Sequence, residues 1–426
     1  MKKSQICSII VSFIQSFLDD QEKLHSYADK KSFVRNRLFS LRHVIIYLLF
    51  STKASMYKNI SAIKDSLEPL CFPDVSKMAV SKARQHISPT LFEDLYRKSV
   101  SLFCTYCKKL KTWHSYVLFA VDGSRIQLPN SESNFQKFGC CTYKDNPNKV
   151  WSIALASLLY NVLDDYIFDA YITRHLASER DLAQKHIDFL SKKKLKAKSI
   201  IIFDRGYYSE NMFRCFYESG LFCVMRLKDG MKICKNCPGD YTTILRGYKK
   251  KHTEDIKIRV VAVPLPSGIT EYLATNLFDE SFTPELFKEL CFLRWPIEEK
   301  YQELKLRFKL EEFNGITAIS VQQEFYINLL LANLVSLIKA EADEIKTEQQ
   351  KNSNNKHKYQ ANRTFIIGRF REIFPKILCG VFKIKKLFVL LAEAVKTNSQ
   401  IQPGRTTPRK RIRGKRTHFS NKKSTY

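Results

Sequence analysis

Two aspartates in the middle of this 426-residue chain directly follow apolar segments. Asp122 follows the run 116–121, and Asp204 follows the run 199–203. Each run has the length and composition of a strand, and Asp122-Gly-Ser has the composition of a turn. Because ligands bind beyond the carboxyl ends of strands in open α/β sheets, two such aspartates can converge on one point. Taken singly, each aspartate could equally be a turn former or a helix cap.

A third carboxylate, Glu298, lies in a segment rich in charge, Arg294-Trp-Pro-Ile-Glu-Glu-Lys-Tyr-Gln-Glu-Leu-Lys305. Steps of four and seven residues separate Arg294, Glu298 and Lys305, and this spacing predicts one stripe along a helix. An acid between two bases suits a carboxylate that holds a metal ion while the cations bind phosphates. An ordinary ladder of intrahelical salt bridges has the same spacing.

Three carboxylates of this kind would form a site for a hard divalent cation. Magnesium suits such a site because it keeps several waters and bridges substrate phosphates, and manganese is the alternative ion. Two ions about 4 Å apart would activate the attacking oxygen and stabilise the leaving oxygen of an in-line phosphoryl transfer. We therefore expect Asp122, Asp204 and Glu298 to be both the catalytic residues and the metal ligands.

These motifs resemble those of the DDE transposases of bacterial insertion sequences, of the insertion-sequence-4 type. The pattern of that family is Y-x2-R-x3-E-x6-K, usually within R-W-x-I-E. It is matched here by Arg294, Trp295, Ile297, Glu298 and Lys305, and Cys291 stands at the position of the Tyr. Asp122-Gly-Ser, Phe203-Asp-Arg-Gly-Tyr207 and Ala274-Thr-Asn276 resemble its other motifs, so that the similarity runs over residues 116–315.

The resemblance implies an RNase H-like catalytic core with a β-rich insertion between the second Asp and the Glu. It also implies binding of terminal inverted repeats, synapsis of two transposon ends by a homodimer, and cut-and-paste transposition. In that reaction, hydrolysis at the transposon end frees a 3′-hydroxyl, which then attacks target DNA. By the same resemblance, Arg294 and Lys305 would contact DNA phosphates, and Cys291 puts the contact made by the family's Tyr in question.

The first 110 residues are predicted to form an α-helical N-terminal DNA-binding domain. Apolar periodicity predicts helices in the first amphipathic segment and over 33–50, 56–67 and 76–96, with prolines punctuating the last. The segment 75–87 predicts a short helix with four exposed basic side chains, Lys77, Lys82, Arg84 and His86. This helix could contact DNA, and a solvated helix face is the alternative.

Residues 111–345 are predicted to form the catalytic domain of an α/β fold. We expect strands at 116–121, 151–160, 166–173, 199–203, 221–227 and 271–276, and helices at 179–190, 209–218, 283–308 and 325–342, of which 283–308 is interrupted by Pro296. Within this domain, residues 228–266 are predicted to be the β-rich insertion. A C-terminal helical region follows at 346–402, beginning with a polar loop over 346–362, and a basic tail occupies 403–426.

The charge balance points to a nucleic-acid partner. Lys and Arg number 71 and Asp and Glu 42, a formal net charge of +29, and such an excess attracts a polyanion such as double-stranded DNA. The tail, with Arg409, Lys410, Arg411 and Arg413, is too basic and too rich in Gly and Pro to pack, and we expect it to lie along the DNA backbone. A solubilising tail is the alternative. Trp295 could stack on a displaced base, and a core tryptophan is the alternative.

Membrane insertion and metal-binding cysteines are not predicted. The apolar stretch 325–338 is too short to span a bilayer comfortably and contains two asparagines. The N-terminal segment is amphipathic and lacks a cleavage site, so we expect a cytoplasmic protein. The resemblance implies a bacterial protein that is nucleoid-associated when bound to DNA. The pairs Cys104/Cys107 and Cys234/Cys237 are far apart, and we interpret them as reduced, small apolar residues rather than as a zinc site.

Two alternatives to a transposase remain open on the sequence. One is a metal-dependent DNA nuclease on the same fold, which would cut DNA without joining it. The other is a transposase-derived DNA-binding protein that has lost catalysis.

Overall fold

The computed structural model describes residues 1–34, 39–51, 53–67, 72–143, 146–193, 195–235, 239–246, 254–265, 268–351 and 357–401. The chain divides into two compact units. The first, called the helical unit here, comprises Met1–Lys108, Ile126–Ala154 and Leu304–Tyr426. The second, the sheet unit, comprises Lys109–Arg125 and Leu155–Glu303.

The helices and strands follow in chain order. The helices are α1 (Lys3–Asp19), α2 (Gln21–His25), α3 (Leu41–Phe50), α4 (Met56–Ser66), α5 (Lys77–Gln85), α6 (Thr90–Tyr106), α7 (Glu132–Phe138), α8 (Glu179–Ser191), α9 (Glu210–Ser219), α10 (Lys232–Lys235), α11 (Pro284–Leu293), α12 (Pro296–Leu306), α13 (Ala318–Lys351), α14 (Arg363–Leu378) and α15 (Lys386–Lys396). The strands are β1 (Val117–Gln127), β2 (Cys140–Tyr143), β3 (Asn146–Asn161), β4 (Tyr166–Arg174), β5 (Ser199–Phe203), β6 (Phe222–Arg226), β7 (Asp240–Leu245), β8 (Ile256–Pro264), β9 (Thr270–Thr275), β10 (Tyr359–Gln360) and β11 (Ser399–Gln400).

A large mixed sheet forms the centre of the sheet unit. The strand order of the whole sheet is β2-β3-β1-β5-β6-β9-β8-β7, and β4 also pairs with β3. Strands β1, β5 and β6 run parallel, whereas β9, β8 and β7 are added antiparallel. Every residue of β5 is buried, as expected for a central parallel strand covered on both faces. The predicted mixed α/β architecture is confirmed.

The β-rich segment 228–266 contains strands, as predicted, but they are not a separate body. Strand β8 pairs antiparallel with β9, and β7 pairs with β8, so both extend the edge of the main sheet. The alternating exposure of β7 suits an edge strand with one covered face.

Strand β1 runs further than the sequence predicts. Its apolar run was expected to end at a turn formed by Asp122-Gly-Ser, but the strand continues to Gln127. Ile126 is fully buried, which explains why the chain stays extended through this polar stretch. Asp122 is therefore a strand residue, and the predicted turn is wrong.

The helical unit is built around α13. Helices α1, α6 and α15 pack against α13, as do α3 and α14. The most apolar stretch of α13 is long enough to cross a membrane but is 94% buried by the protein itself, so that α13 is a core helix. It is also longer than the predicted helix 325–342.

The polar loop predicted over 346–362 is wrong at its start. Lys346 belongs to α13 and is 6% exposed. Its ammonium group donates hydrogen bonds to the carbonyl oxygens of Val395 (3.0 Å) and Thr397 (2.8 Å), beside the carboxyl end of α15. Residues 352–356 of the predicted loop lie outside the described part of the chain.

Two predictions for the N-terminal helices need correction. The helix predicted over 33–50 begins only at Leu41, after Ser40 accepts a hydrogen bond from the backbone N–H of His43. Residues 35–38 of that segment are not described. In α5, Lys77 and Lys82 are exposed as predicted, but Arg84 is 1% exposed. Arg84 is thus a core residue and not a candidate DNA contact.

The partner of Arg84 is Glu324, a buried carboxylate at the start of α13. Glu324 accepts from Arg84 Nη1 at 3.2 Å and from Lys53 Nζ at 2.9 Å, and also from the backbone N–H groups of Asn314 and Gly315. Burial alone would raise the pKa of Glu324. The two cations and the Asn314 amide outweigh burial and lower this pKa to about 2.

Candidate active site

The register of the parallel strands brings the two predicted aspartates together. Ala120 of β1 pairs with Ile202 of β5; Asp122 lies two residues further along β1, and Asp204 is the residue directly after the end of β5. Residues level with each other on neighbouring strands point to the same face of a sheet, about 5 Å apart. The register therefore predicts that Asp122 and Asp204, 82 positions apart in sequence (204 − 122), are neighbours at the carboxyl end of β5.

Helix α12 carries the third carboxylate and is fixed to β1 by a tyrosine. Glu298 lies in the first turn of α12, and Tyr301 follows one turn later. The Tyr301 hydroxyl lies 2.9 Å from the carbonyl oxygen of Asp122 and 3.0 Å from that of Ala156, and the side chain is 5% exposed. This buried contact ties the helix that bears Glu298 to the strand that bears Asp122.

All three acids act on one buried guanidinium. Arg294 is 2% exposed and donates to Glu298 Oε1 at 2.7 Å. Burial alone would lower its pKa, but the hydrogen bond to Glu298 and the charges of Asp204 and Asp122 outweigh burial and raise it. Within the part of the chain that the structure describes, no three Asp, Glu, His or Cys side chains form a ready-made metal-binding group. Glu298 pairs directly with Arg294, whereas Asp204 and Asp122 act on it through their charges.

The helical stripe predicted from Arg294 through Glu298 to Lys305 is interrupted. Arg294 caps the end of α11, and Pro296 begins α12. Arg294 nevertheless forms an ion pair with Glu298, four residues later, across this junction. Lys305 pairs with Glu311 at 3.5 Å.

The surroundings of Asp122 change the pKa of its carboxyl group. Burial raises the pKa of Asp122 to about 7, and the charges of Glu179 and Glu298 act in the same direction. The backbone N–H of Gly123, 2.9 Å from Asp122 Oδ1, and the charge of Arg294 oppose this shift. A buried carboxyl among like charges gains most from a nearby cation. Carboxylate oxygens are the kind of donor that a hard divalent cation prefers.

Glu179 is a fourth acid at this site that the sequence did not single out. It is the first residue of α8, and its side chain lies against Gly123, where an added Cβ would stand 3.0 Å from the Glu179 Cδ. Its charge acts on Asp122 and on the buried hydroxyl of Tyr207. The sequence signal was its position at a helix start directly after strand β4.

Arg226 and Glu271 were also missed. Phe203 pairs with Met225, so Arg226 is level with Asp204, and Arg226 Nη1 donates to Asp204 Oδ1 at 3.1 Å. Arg226 Nη2 contacts Glu271 as well. No local motif marks these two residues, because their proximity depends on the pairing of distant strands.

The remaining predicted contacts have different outcomes. Trp295 is 42% exposed, with the Arg294 guanidinium 5.4 Å from its ring centroid; its indole is therefore not a core side chain. Cys291, at the position of the family's Tyr, is 7% exposed, and burial together with the charge of Glu271 raises its pKa to about 12. The predicted tail contacts Arg409, Lys410, Arg411 and Arg413, and Cys237 of the second cysteine pair, lie outside the described residues.

Comparison with known proteins identifies the family. Residues 113–334 match the family described as Transposase DDE domain, and this match spans slightly more than half of the chain. This chain belongs to the DDE transposase family. Membership implies metal-dependent phosphoryl transfer on DNA, and transposases of this family use divalent metal ions. The matched range includes Asp122, Asp204 and Glu298.

The chain is also similar to a solved structure described as "Cryo-EM structure of piggyBac transposase synaptic complex with hairpin DNA (SNHP)". The two share 9% sequence identity with a TM-score of 0.48, and the alignment covers 93% of this chain and 88% of that chain. No curated protein matches the sequence.

Proposed function

We propose that this DDE transposase is of the insertion-sequence-4 type and performs cut-and-paste transposition with an RNase H-like core. Asp122, Asp204 and Glu298 would hold Mg²⁺, with Mn²⁺ as a substitute. The observation that carries the proposal is that these three acids, from β1, the end of β5 and α12, all act on one buried guanidinium. A point that already gathers three negative charges suits a divalent cation.

The chain's own residues would prepare the reaction in two ways. Asp122, with a pKa of about 7, must lose its proton before it can serve as a ligand. Arg294, which pairs with Glu298, would be available to bind a DNA phosphate if it left that carboxylate. The bound ions supply activation of the attacking oxygen and stabilisation of the leaving oxygen.

The proposed substrates are double-stranded transposon ends, read as terminal inverted repeats, and target DNA. Trp295 is exposed enough to stack on a displaced base, and Lys305 would contact a phosphate after leaving Glu311. The residues Arg409, Lys410, Arg411 and Arg413 would follow the DNA backbone. We further propose that a homodimer holds the two ends in the synaptic complex, in the cytoplasm of a bacterium.

Removing the charge of each acid tests the proposal. Asp122→Asn, Asp204→Asn and Glu298→Gln should each abolish cleavage of DNA carrying the element's ends while leaving DNA binding within about twofold, since each removes a ligand and leaves the shape intact. Asp181→Asn is the control, because Asp181 is an exposed acid in the first turn of α8. Normal cleavage by all three variants would refute the metal site.

A strand-joining assay separates the transposase from its two rivals. Labelled end DNA, unlabelled target DNA and Mg²⁺ should give joined products with the wild-type protein. Cleavage without joining would indicate a nuclease on the same fold. Binding without cleavage would indicate a transposase-derived DNA-binding protein. Cys291→Tyr, which restores the family's residue, would then be the first variant to test for recovered cleavage.

A further inference from the structure

Asp204 also contacts a cation on β6, which flanks β5 on the side opposite to β1. Arg226 Nη1 donates to Asp204 Oδ1 at 3.1 Å, and Arg226 Nη2 contacts the Glu271 carboxylate. The side chains of Arg226 and Glu271 are 16% and 11% exposed, whereas that of Asp204 is 43% exposed. The largely buried guanidinium of Arg226 thus contacts two carboxylates. Asp204 is a proposed metal ligand, and Glu271 is not.

The sheet itself fixes this arrangement. Arg226 of β6 pairs with Leu273 of β9 in the antiparallel register. Glu271 lies two residues from Leu273 on the same strand and therefore on the same face, within diagonal reach of Arg226. Since β6 lies between β5 and β9, Arg226 is held between Asp204 and Glu271 by backbone pairing.

The two ion pairs leave one donor of the Arg226 guanidinium group unsatisfied within the described part of the chain. Arg226 Nε is buried and has no hydrogen-bond partner among the described residues, so the ion pairs do not satisfy all its donors. Glu271 has a second cation nearby, because Arg205 Nη2 lies 3.7 Å from its carboxylate. Glu271 therefore remains partly neutralised wherever Arg226 moves.

We propose that Arg226 is a positioning residue that occupies Asp204 in the metal-free enzyme, and that Glu271 draws Arg226 aside when a divalent cation binds. The proposal rests on the proposed function, because it takes Asp204 as a metal ligand. Its physical basis is competition: a guanidinium 3.1 Å from a carboxylate oxygen and a divalent cation on that same carboxylate repel each other. Glu271 reduces this repulsion by holding the guanidinium on the β9 side.

Competition predicts opposite effects for the two partners. Arg226→Gln removes the competing charge, so Mn²⁺ should bind at least about threefold more tightly, although cleavage falls because Asp204 is less well oriented. Glu271→Gln leaves Arg226 to pair with Asp204 alone, so Mn²⁺ should bind at least about threefold more weakly. If Arg226 and Glu271 only stabilised the fold, the two variants would change Mn²⁺ affinity in the same direction.

The double variant shows whether Glu271 acts through Arg226. In the Arg226→Gln background, Glu271→Gln should change Mn²⁺ affinity by less than about twofold, since no guanidinium remains to be drawn aside. A loss as large as that in the single variant would mean that Glu271 acts on the metal directly and would overturn the proposal. If Arg226→Gln fails to fold, the test is a comparison between the double variant, in which both residues are Gln, and Glu271→Gln alone. The double variant should bind Mn²⁺ more tightly than Glu271→Gln.

The measurement is calorimetric titration of the metal-free, full-length protein with Mn²⁺ and without DNA. Arg214→Gln is the matched control, because Arg214 and Glu210 form an ion pair of similar burial (17% and 21% exposed) on α9. That variant should bind Mn²⁺ as the wild type does. Wild-type binding by Asp204→Asn would refute the proposed metal site, whereas shifts in the same direction for Arg226→Gln and Glu271→Gln would refute only the present inference.

Discussion

The hydroxyl of Tyr301 lies 2.9 Å from the backbone carbonyl oxygen of Asp122. This contact joins helix α12, which carries Glu298, to strand β1 without using either of the carboxylates proposed to be catalytic. The same hydroxyl lies 3.0 Å from the carbonyl oxygen of Ala156, so one buried group links α12 to two strands. The distance between Glu298 and Asp122 thus depends on a residue that carries no charge.

Tyr301→Phe should separate positioning from catalysis. The ring would still pack, but the buried carbonyl groups would lose their donor, which should lower the free energy of unfolding by about 1 kcal/mol. The cleavage rate should fall at least about tenfold, because small displacements of reacting groups carry large kinetic costs. Tyr27→Phe, which removes an exposed hydroxyl bonded to Asp94, is the control and should leave cleavage unchanged. Unaltered cleavage by Tyr301→Phe would show that α12 is held in place by packing alone.

The raised pKa of Asp122 predicts a pH dependence of catalysis. Since this pKa is about 7, the cleavage rate at limiting Mg²⁺ should rise from pH 6 to pH 8 as the carboxyl loses its proton. Glu179 raises this pKa, so Glu179→Gln should move the midpoint to lower pH, whereas Asp181→Asn should not. A midpoint that is identical in wild type and Glu179→Gln would argue against this electrostatic coupling.

The same group makes the metal-free protein less stable at higher pH. The folded pKa of Asp122, about 7, exceeds the unfolded value of 3.8, so the contribution of its proton to stability is fully present below about pH 4. That contribution is lost as the pH rises through 7. Urea unfolding in the presence of a chelator at pH 5 and pH 8 measures the loss, and Asp122→Asn should show less of it. An equal loss in that variant would assign the effect to other groups.

The sequence was sufficient to predict the elements that carry the acids but not their other partners. The apolar run before Asp204 is a strand with the predicted bounds, because a central parallel strand must be apolar on both faces. Arg226 could not be predicted to contact Asp204, because strand register is a long-range property. For the same reason Arg84 was expected on the surface: its partner Glu324 lies 240 positions away, and nothing in the local charge pattern distinguishes it from Lys82.

The Glu324 carboxylate should be essential to the helical unit. Glu324→Gln would leave Lys53 and Arg84 buried without an anion, which should cost about 3–5 kcal/mol of unfolding free energy. The control is Glu93→Gln, which breaks the half-exposed Glu93–Arg97 pair and should cost less than about 1 kcal/mol. Chemical denaturation of both variants measures the difference. Equal losses would mean that the buried network contributes no more than a surface ion pair.

Glu324 also predicts acid sensitivity, with the opposite sign to Asp122. Its folded pKa, about 2, lies below the unfolded value of 4.5. Its contribution to stability is therefore present above about pH 4.5 and is lost as the pH falls towards 2. The unfolding free energy of the wild type should fall over this range more steeply than that of Glu324→Gln. Parallel curves for the two proteins would contradict the assignment.

The basic tail should contribute to DNA affinity through counterion release and not through sequence recognition. Residues 403–426 contain nine Lys or Arg and no Asp or Glu. Truncation after Gln402 should weaken binding to end DNA and to unrelated DNA equally. It should also reduce the slope of log affinity against log salt concentration by about 0.9 for each DNA phosphate that the tail neutralises in the wild type. A variant with Gln at Arg409, Lys410, Arg411 and Arg413 keeps the length of the tail and should show part of the same reduction. If both variants kept the wild-type slope, the tail would be a solubilising segment; if only binding to end DNA fell, it would instead read sequence.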